Sequence, residues 1–191
     1  MDLSYQEAKQ KFIEYLILLI LGDANQKTSL LHIQKEIFLL WNFDKEINSF
    51  FEFVKHYRGP YLDIINESVK HPFILYDCWE YIAPEKKDKL SGGFVNITEE
   101  GKEKYLAFIK DVKSSKNAHL LHIITAVNIL NNLYIHLTEE ELLLIIYDSF
   151  PEFTKKSNVF DTIQRKKEKL ARRMFEADYI EENKFKELLG K

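Results

Sequence analysis

Residues 28–41 read Thr28-Ser29-Leu30-Leu31-His32-Ile33-Gln34-Lys35-Glu36-Ile37-Phe38-Leu39-Leu40-Trp41, and residues 56–61 read His56-Tyr57-Arg58-Gly59-Pro60-Tyr61. Apolar residues in the first segment recur at helical spacing, and Thr28 or Ser29 is suited to cap the helix. In the second segment, Gly59 permits a sharp turn and Pro60 suits the first position of a helix. Together the segments predict a helix-turn-helix whose second helix covers residues 60–71.

Two β-strands are expected after the helix-turn-helix. Phe73–Ile82 is rich in residues typical of strands, and the short strand Phe94–Ile97 follows a loop rich in lysine and glycine. Two strands joined by such a loop are typical of the wing of a winged helix. Thr98 is then expected to cap another helix, Glu99–Val112. The predicted fold class is mainly α, with a winged helix-turn-helix-like N-terminal region, a small β-hairpin and an α-helical C-terminal region.

The chain is expected to divide near the polar segment Lys113–Asn117. We expect a winged-helix-like domain over 1–113 and a helical C-terminal region over 114–191 that packs on it or mediates dimerisation. Thr138 and Glu141 have the spacing of a capping box. The other helices expected are Tyr5–Leu21 with Gly22 as a left-handed cap, Ala118–Leu133, Glu139–Ser149, Val159–Tyr179 and Phe185–Leu189.

Composition and charge limit the classes of function. Hydrophobic residues make up 46% and charged residues 30% of the 191 residues, which is ordinary for a globular protein. The net charge of −3 means that any nucleic-acid site must be a local basic patch. Cys78 is the only cysteine, which excludes an intramolecular disulfide and favours a cytoplasmic location. The apolar run Tyr15–Leu21 is too short to span a bilayer, and no membrane association is expected.

Signatures of catalysis are missing from the sequence. It contains no glycine-rich phosphate loop and no Gly-x-Ser-x-Gly turn, so we expect neither an enzyme nor a cofactor. Cys78 lies among aromatic residues and is expected to be a buried, inert thiol. His119 and His122 have a spacing that suits metal binding on a helix face, but no further ligands lie near them in the sequence. No metal site is therefore predicted, and a role for these two histidines stays open.

Three groups of residues are candidates for nucleic-acid binding. The outer face of the helix over 60–71 can reach bases or phosphates, although Asp63 and Glu67 on the same face would repel phosphate. The wing loop is rich in lysine, and the last long helix carries a basic face, for which pairing with its own acidic residues is the alternative. The candidates in these groups are Tyr61, Asn66, Lys70 and His71; Lys86, Lys87 and Lys89; and Arg165, Lys169, Arg172 and Arg173.

Several short motifs resemble a known family. They are Leu31–Leu40, Phe51-Glu52-Phe53, Tyr57-Arg58-Gly59-Pro60-Tyr61, Ile97-Thr98-Glu99-Glu100-Gly101, and the segment Glu141–Ser157 with its Phe150-Pro151-Glu152-Phe153. Together they are similar to the core of the Panacea (SocA-like) antitoxin-associated domain and to the related YwgA-like uncharacterised proteins. The resemblance implies a non-enzymatic regulatory or neutralising protein, in some cases tied to toxin–antitoxin or phage-defence loci. It supplies no catalytic residues.

Two functions follow as hypotheses. The first is a winged-helix regulatory protein that binds DNA through the helix over 60–71, the wing loop and the last basic helix. The alternative is a protein-interaction module of antitoxin or adaptor type, in which the corner at 56–61 presents an aromatic surface to a toxin-like partner protein. Apolar faces on the C-terminal helices favour a homodimer under both hypotheses. The sequence alone identifies neither the DNA target nor the partner.

Overall fold

The computed structural model of this chain describes residues 4–24, 26–88 and 90–190. Helices account for most of these residues and the strands are short and antiparallel, which confirms a mainly α-helical chain with a small sheet. The elements in chain order are α1 (Tyr5–Ala24), β1 (Thr28–Ser29), α2 (Leu30–Phe43), α3 (Lys45–Phe50), β2 (Val54–His56), β3 (Gly59–Tyr61), α4 (Asp63–Lys70), β4 (Trp79–Ile82), β5 (Phe94–Ile97), α5 (Glu99–Ser115), α6 (Ala118–Tyr134), α7 (Glu139–Ser149), a 3₁₀ helix (Pro151–Thr154), α8 (Phe160–Glu176) and α9 (Glu182–Leu188).

The chain divides into two compact units. The first comprises Met1–Glu52 and Leu62–Ile135, and the second comprises Phe53–Tyr61 and His136–Lys191. The strands β2 and β3 therefore belong to the second unit, although the helices on either side of them in the sequence belong to the first. These units differ from the domains 1–113 and 114–191 expected from the sequence, because α6 packs on α1 and α2 within the first unit.

Helix α1 packs against α4, α5 and α6 in the first unit. The prediction that this helix ends at Leu21 with Gly22 as a left-handed cap is wrong, because Gly22 lies inside α1 and the helix continues to Ala24. The ring of Tyr105 from α5 occupies the place that a Cβ atom of Gly22 would take. This glycine therefore allows two helices to approach closely and does not end one of them.

Helix α2 has the predicted cap. The hydroxyl of Ser29 accepts a hydrogen bond from the backbone N–H of His32 at 3.2 Å. Residues Leu30–Leu40 are all buried, so that polar side chains of α2 also lie inside the first unit. One of these is Gln34, whose amide donates to the carbonyl of Leu62 at 2.9 Å and accepts from its N–H at 3.1 Å. Leu62 directly precedes α4, and Gln34 therefore ties the start of α4 to α2.

Strands β1, β5 and β4 form an antiparallel sheet in that order. Thr28 of β1 lies opposite Val95 of β5, and Trp79 of β4 lies opposite Ile97. The predicted strand Phe94–Ile97 is confirmed, and Thr98 caps α5 as expected by accepting a hydrogen bond from the N–H of Gly101 at 3.0 Å.

The strand predicted over 73–82 is wrong in its first half, since only Trp79–Ile82 pairs with β5. Before this strand, the backbone N–H groups of Phe73, Ile74 and Leu75 donate to the side chain of Glu14 at 2.5, 2.7 and 2.9 Å. Glu14 lies in α1 and is fully buried. These amides are satisfied by one carboxylate and are not available to a neighbouring strand.

The corner at 56–61 is a β-hairpin and not a joint between two helices. In the ladder, Val54 lies opposite Tyr61 and His56 opposite Gly59. Pro60 was expected to start a helix, but it lies in β3, and α4 starts only at Asp63. A two-stranded ribbon tolerates a proline on its outer edge, where no ladder hydrogen bond is lost. Gly59 has a φ of 80°, the left-handed conformation that glycine adopts readily at a turn.

The remainder of the second unit is helical. The capping box of Thr138 and Glu141 is present, and α7 has the predicted bounds Glu139–Ser149. The break at Phe150–Phe153 is also present, as a 3₁₀ helix, while α8 is shorter at both ends than the predicted Val159–Tyr179. Within the described ranges, no single helix is both long enough and apolar enough to cross a membrane.

Candidate functional site

The hairpin of β2 and β3 presents an exposed aromatic surface. Tyr57 at its turn is 61% exposed and Val54 at its start is 52% exposed. The ring of His56 stacks on that of Tyr61, with 4.4 Å between centroids, and lies 4.9 Å from the ring of Tyr57. These neighbouring rings limit one another's movement at the tip of the hairpin.

Ser157 fixes the backbone at the turn of the hairpin. Its hydroxyl donates to the carbonyl oxygen of Tyr57 at 3.3 Å, and the N–H of Asn158 donates to the same oxygen at 3.1 Å. The Ser157 oxygen also accepts from the backbone N–H groups of Val159 and Phe160 at 3.3 and 3.1 Å. One serine therefore couples the hairpin turn to the start of α8.

Tyr147 of α7 completes this arrangement. Its hydroxyl lies 2.6 Å from that of Ser157 and donates to it, because the Ser157 proton is directed at Tyr57. Burial raises the pKa of Tyr147 above its ordinary value, with the hydrogen bond to Ser157 acting in the opposite direction, so that the hydroxyl keeps its proton at neutral pH. A Cβ atom on Gly59 would lie only 3.2 Å from the Tyr147 ring. We call Gly59, Tyr147 and Ser157 the hairpin anchor.

The hairpin anchor joins two motifs that the sequence analysis singled out. One is Tyr57–Tyr61 and the other lies in Glu141–Ser157, and the bond from Ser157 to Tyr57 spans 100 residues of sequence. The 3₁₀ helix at Pro151–Thr154 contacts both β2 and β3. The sequence analysis noted both motifs through a resemblance, but no periodicity in the chain indicated that they meet. The tyrosine and serine that flank the Phe-Pro-Glu-Phe break were the only signal for this contact.

Of the four residues predicted for the helix over 60–71, only Asn66 and Lys70 lie within α4, where they share a face. Asn66 is half-buried and Lys70 is exposed on α4, while His71 is the residue that ends the helix. Lys70 has its ammonium group 5.5 Å from the centroid of the Tyr81 ring. Tyr61 was expected beside them but lies in β3 of the second unit, because the helix begins later than predicted.

Acidic residues dominate the solvent side of α4. Asp63 and Glu67 are both exposed. The sequence indicated that these two carboxylates would repel phosphate. Both line a groove of about 730 Å³ between α4 and the N-terminal part of α1, which Gln6 and Gln10 also line. A phosphate group placed against this face would meet two carboxylates, which makes α4 a poor partner for a nucleic-acid backbone.

The loop between β4 and β5 carries two exposed lysines. Lys86 and Lys87 lie in its turn, and the predicted third lysine, Lys89, lies outside the described residues. Asp88 organises the end of the loop, because its carboxylate accepts from the N–H groups of Leu90 and Ser91 at 3.2 and 3.1 Å and from the Ser91 hydroxyl. Of the three lysines predicted here, the two that the structure describes are therefore accessible to a ligand.

Two of the four residues predicted on α8 pair with carboxylates. Arg173 pairs with Glu141, whose side chain is fully buried, and Arg172 lies 3.1 Å from Glu168. The second pairing is the one that the sequence analysis gave as the alternative to nucleic-acid binding. The other two members of the group, Arg165 and Lys169, are exposed. This helix belongs to the second unit, whereas α4 and the lysine loop belong to the first.

His119 lies beside two carboxylates, and Cys78 is buried. The Nε2 atom of His119 lies 3.3 Å from Asp44, and its Nδ1 atom lies 3.2 Å from Glu46. In the part of the chain that the structure describes, no group of three or more His, Cys, Asp or Glu side chains is placed to hold a metal ion. Cys78 is buried, as predicted, and burial raises the pKa of its thiol, which disfavours the reactive thiolate.

Comparisons with known proteins leave this chain without an assigned family. No protein-family model, no curated protein and no solved structure matches it.

Proposed function

We propose that this chain is a protein-interaction module whose hairpin tip, with Tyr57 at its centre, is the contact surface for a partner protein. The observation that carries the proposal is the hairpin anchor. Three separate elements, α7, the 3₁₀ helix and the start of α8, hold the hairpin turn in place, yet leave Tyr57 61% exposed. An exposed tyrosine on a backbone that several elements hold in place is expected of a binding surface.

The chemistry of the tip suits protein recognition. Tyrosine and arginine are the residue types, with tryptophan, that contribute most to binding energy in protein interfaces, and Tyr57 and Arg58 are adjacent at this turn. A turn that is already rigid loses little conformational entropy when a partner binds. Val54, also exposed on the hairpin, adds apolar area beside the tyrosine.

Charge also supports a protein partner over a nucleic acid. The net charge is −3, α4 exposes Asp63 and Glu67, and two arginines of α8 are engaged with carboxylates. A protein surface accommodates both signs of charge, whereas a phosphate backbone does not. The resemblance of the two anchor motifs to the Panacea and YwgA-like proteins adds a partner class to the proposal, namely the toxin of an antitoxin-type pair.

The test is binding to the protein encoded next to this chain, produced together with it and purified as a complex. Tyr57→Ala is expected to weaken the complex by about thirtyfold or more, the effect of losing about 2 kcal/mol at an interface centre. Tyr76→Ala is the matched control, because Tyr76 is a 68% exposed tyrosine of the first unit. Equal affinities for wild type and Tyr57→Ala would contradict the proposal, as would the absence of any complex.

A second candidate is binding of duplex DNA by a winged-helix-like first unit. The sheet order β1–β5–β4, with α2 and α4 preceding the β4–β5 loop, supports a winged-helix-like arrangement, in which that loop would be the wing. Lys86 and Lys87 would then contact phosphates.

Duplex binding measured against salt concentration separates the two candidates. Under the DNA hypothesis, affinity falls steeply with salt, and changing Lys86 and Lys87 to alanine reduces the slope by about two. Lys102→Ala is the control, because Lys102 already pairs with Glu99 at 2.6 Å in the same unit. No binding at low salt would reject DNA and leave the protein partner.

A further inference from the structure

An apolar groove runs along α1 within the first unit. It has a volume of about 410 Å³ and lies between α1, α5 and α6. Leu16, Leu19 and Ile123 are buried at its base, whereas the aromatic residues along its sides are half-buried, so that the groove is reachable from solvent. The lining residues are Ala8, Lys11, Phe12, Tyr15, Leu16, Leu19, Phe108, Leu120 and Ile123.

The groove has the size and composition of a small-molecule site. Such sites typically enclose roughly 300–1,000 Å³ and are lined by apolar and aromatic side chains with a few polar groups. Tyr15 and Phe108 form one side together, with 4.8 Å between their ring centroids. Water in this space finds few hydrogen-bond partners, and an apolar ligand that displaces it gains free energy.

The one charged side chain among the described lining residues indicates which polar group a ligand would carry. Among the described residues that line it, Lys11 alone is charged. Tyr15, which also lines the groove, lies one helical turn after Lys11 on the same side of α1. This pair suits a carboxylate, which accepts hydrogen bonds from both.

A second, smaller depression of about 280 Å³ shares Ala8 and Phe12 with the groove and contains one acid, Glu46. The carboxylate of Glu46 lies 3.2 Å from the Nδ1 atom of His119 and is therefore engaged on its own side of Phe12. Lys11 remains the charge that faces the groove.

The length of the groove fits an alkyl chain. Ala8 and Leu19 mark its ends along α1, a distance of about 16 Å at the helical rise of 1.5 Å per residue. The buried base and the single cation among the described lining residues suit one amphipathic molecule.

We propose that this groove binds an amphipathic carboxylate, with its alkyl chain against Leu16, Leu19 and Ile123 and its carboxylate on Lys11. The site lies entirely in the first unit and does not depend on the protein partner proposed for the hairpin.

Calorimetric titration with decanoate and with decanol tests the polar end of the site. Wild type is expected to bind one decanoate saturably. Lys11→Ala, a change at an exposed position, is expected to weaken decanoate binding by about fivefold, as for a partly exposed ion pair, and to leave decanol binding unchanged. Equal binding of decanoate and decanol by wild type would overturn the assignment of a carboxylate.

Filling the groove tests its location. Leu120→Trp places a large ring in the groove and is expected to abolish decanoate binding, whereas Leu133→Trp, on the same helix at a 51% exposed position outside the groove, is expected to retain it. Thermal unfolding of both variants establishes that they are folded, and Lys11→Ala gives a test that leaves the apolar lining intact. The proposal is overturned by the absence of saturable binding, by equal binding to Leu120→Trp, or by a wild-type dimer that Leu120→Trp dissociates and decanoate does not affect. The last result would make the groove an interface between two copies of this chain.

Discussion

The hydroxyl groups of Tyr147 and Ser157 lie 2.6 Å apart, and this contact links α7 to the turn that holds the hairpin. Both residues lie in a segment that is not adjacent to the hairpin in sequence. The position of Tyr57, on which the proposed function depends, is therefore set by residues about one hundred positions away.

Removing either hydroxyl is expected to destabilise the second unit, and removing that of Ser157 is expected to cost more than removing that of Tyr147. Tyr147→Phe removes one hydrogen bond and is expected to cost about 1 kcal/mol of unfolding free energy. Ser157→Ala also removes the cap on the N–H groups of Val159 and Phe160, so that its effect is expected to be larger by about another 1 kcal/mol. Urea denaturation of both variants and the double variant measures the effects. Strict additivity in the double variant would show that the two hydroxyls do not interact.

Gly59→Ala is expected to destabilise the hairpin for two reasons. Its φ of 80° disfavours a side chain by about 1–2 kcal/mol, and the new Cβ would lie 3.2 Å from the Tyr147 ring. Gly190→Ala is the matched control, because Gly190 has a φ of 69° but no described heavy atom within 4 Å of an added Cβ. A larger loss for Gly59→Ala than for Gly190→Ala, measured by thermal unfolding, isolates the contact with Tyr147. Equal losses would mean that the ring moves aside freely.

Glu14 is expected to be among the residues most sensitive to substitution in the first unit. Glu14→Ala leaves three backbone N–H groups without their acceptor and is expected to cost about 3 kcal/mol or more. Glu14→Gln keeps one acceptor oxygen and is expected to lie between wild type and alanine. Hydrogen exchange of the Ile74 and Leu75 amides is the direct measurement. Unchanged protection in Glu14→Ala would refute the role of the carboxylate.

Glu36 is expected to make the stability of the first unit depend on pH. It is buried in α2, and neither carboxylate oxygen has a hydrogen-bond partner among the described residues. Burial, and to a lesser degree the charge of Asp23, raises the pKa of Glu36 from 4.5 to about 8. Between pH 4.5 and about 8, Glu36 therefore keeps its proton in the folded chain and loses it in the unfolded chain. This group's contribution to stability is complete below pH 4.5 and is lost as pH rises towards about 8, by about 1.4 kcal/mol per pH unit.

Glu36→Gln removes this proton exchange while keeping the shape of the side chain. The difference in unfolding free energy between Glu36→Gln and wild type is expected to grow in favour of the variant from acid pH to a pH of about 8. Chemical denaturation across this range measures it. A difference that stays constant with pH would show that Glu36 is ionised in the folded state.

Local elements of this fold were predictable where local chemistry controls them. Ser29, Thr98 and the Thr138–Glu141 capping box begin the helices that the sequence indicated, because each cap satisfies N–H groups within three residues of itself. The predictions failed where a contact with a residue distant in sequence sets the local structure. Glu14 takes the amides of Phe73–Leu75 out of a predicted strand, and the Tyr105 ring keeps Gly22 inside a helix.

The candidate site divides in the same way. Residue type and near neighbours in the sequence indicated that Gly59 permits a turn and that the wing-like loop carries lysines. Tyr147 and Ser157 were noted only because their segment resembles a known family. The folded structure was needed to show that the turn closes a hairpin, that Ser157 holds it and that α4 presents Asp63 and Glu67 to solvent. Those features depend on which surfaces meet across the fold, because a carbonyl such as that of Tyr57 accepts from whichever donor packing brings to it, and no periodicity in the chain encodes that choice.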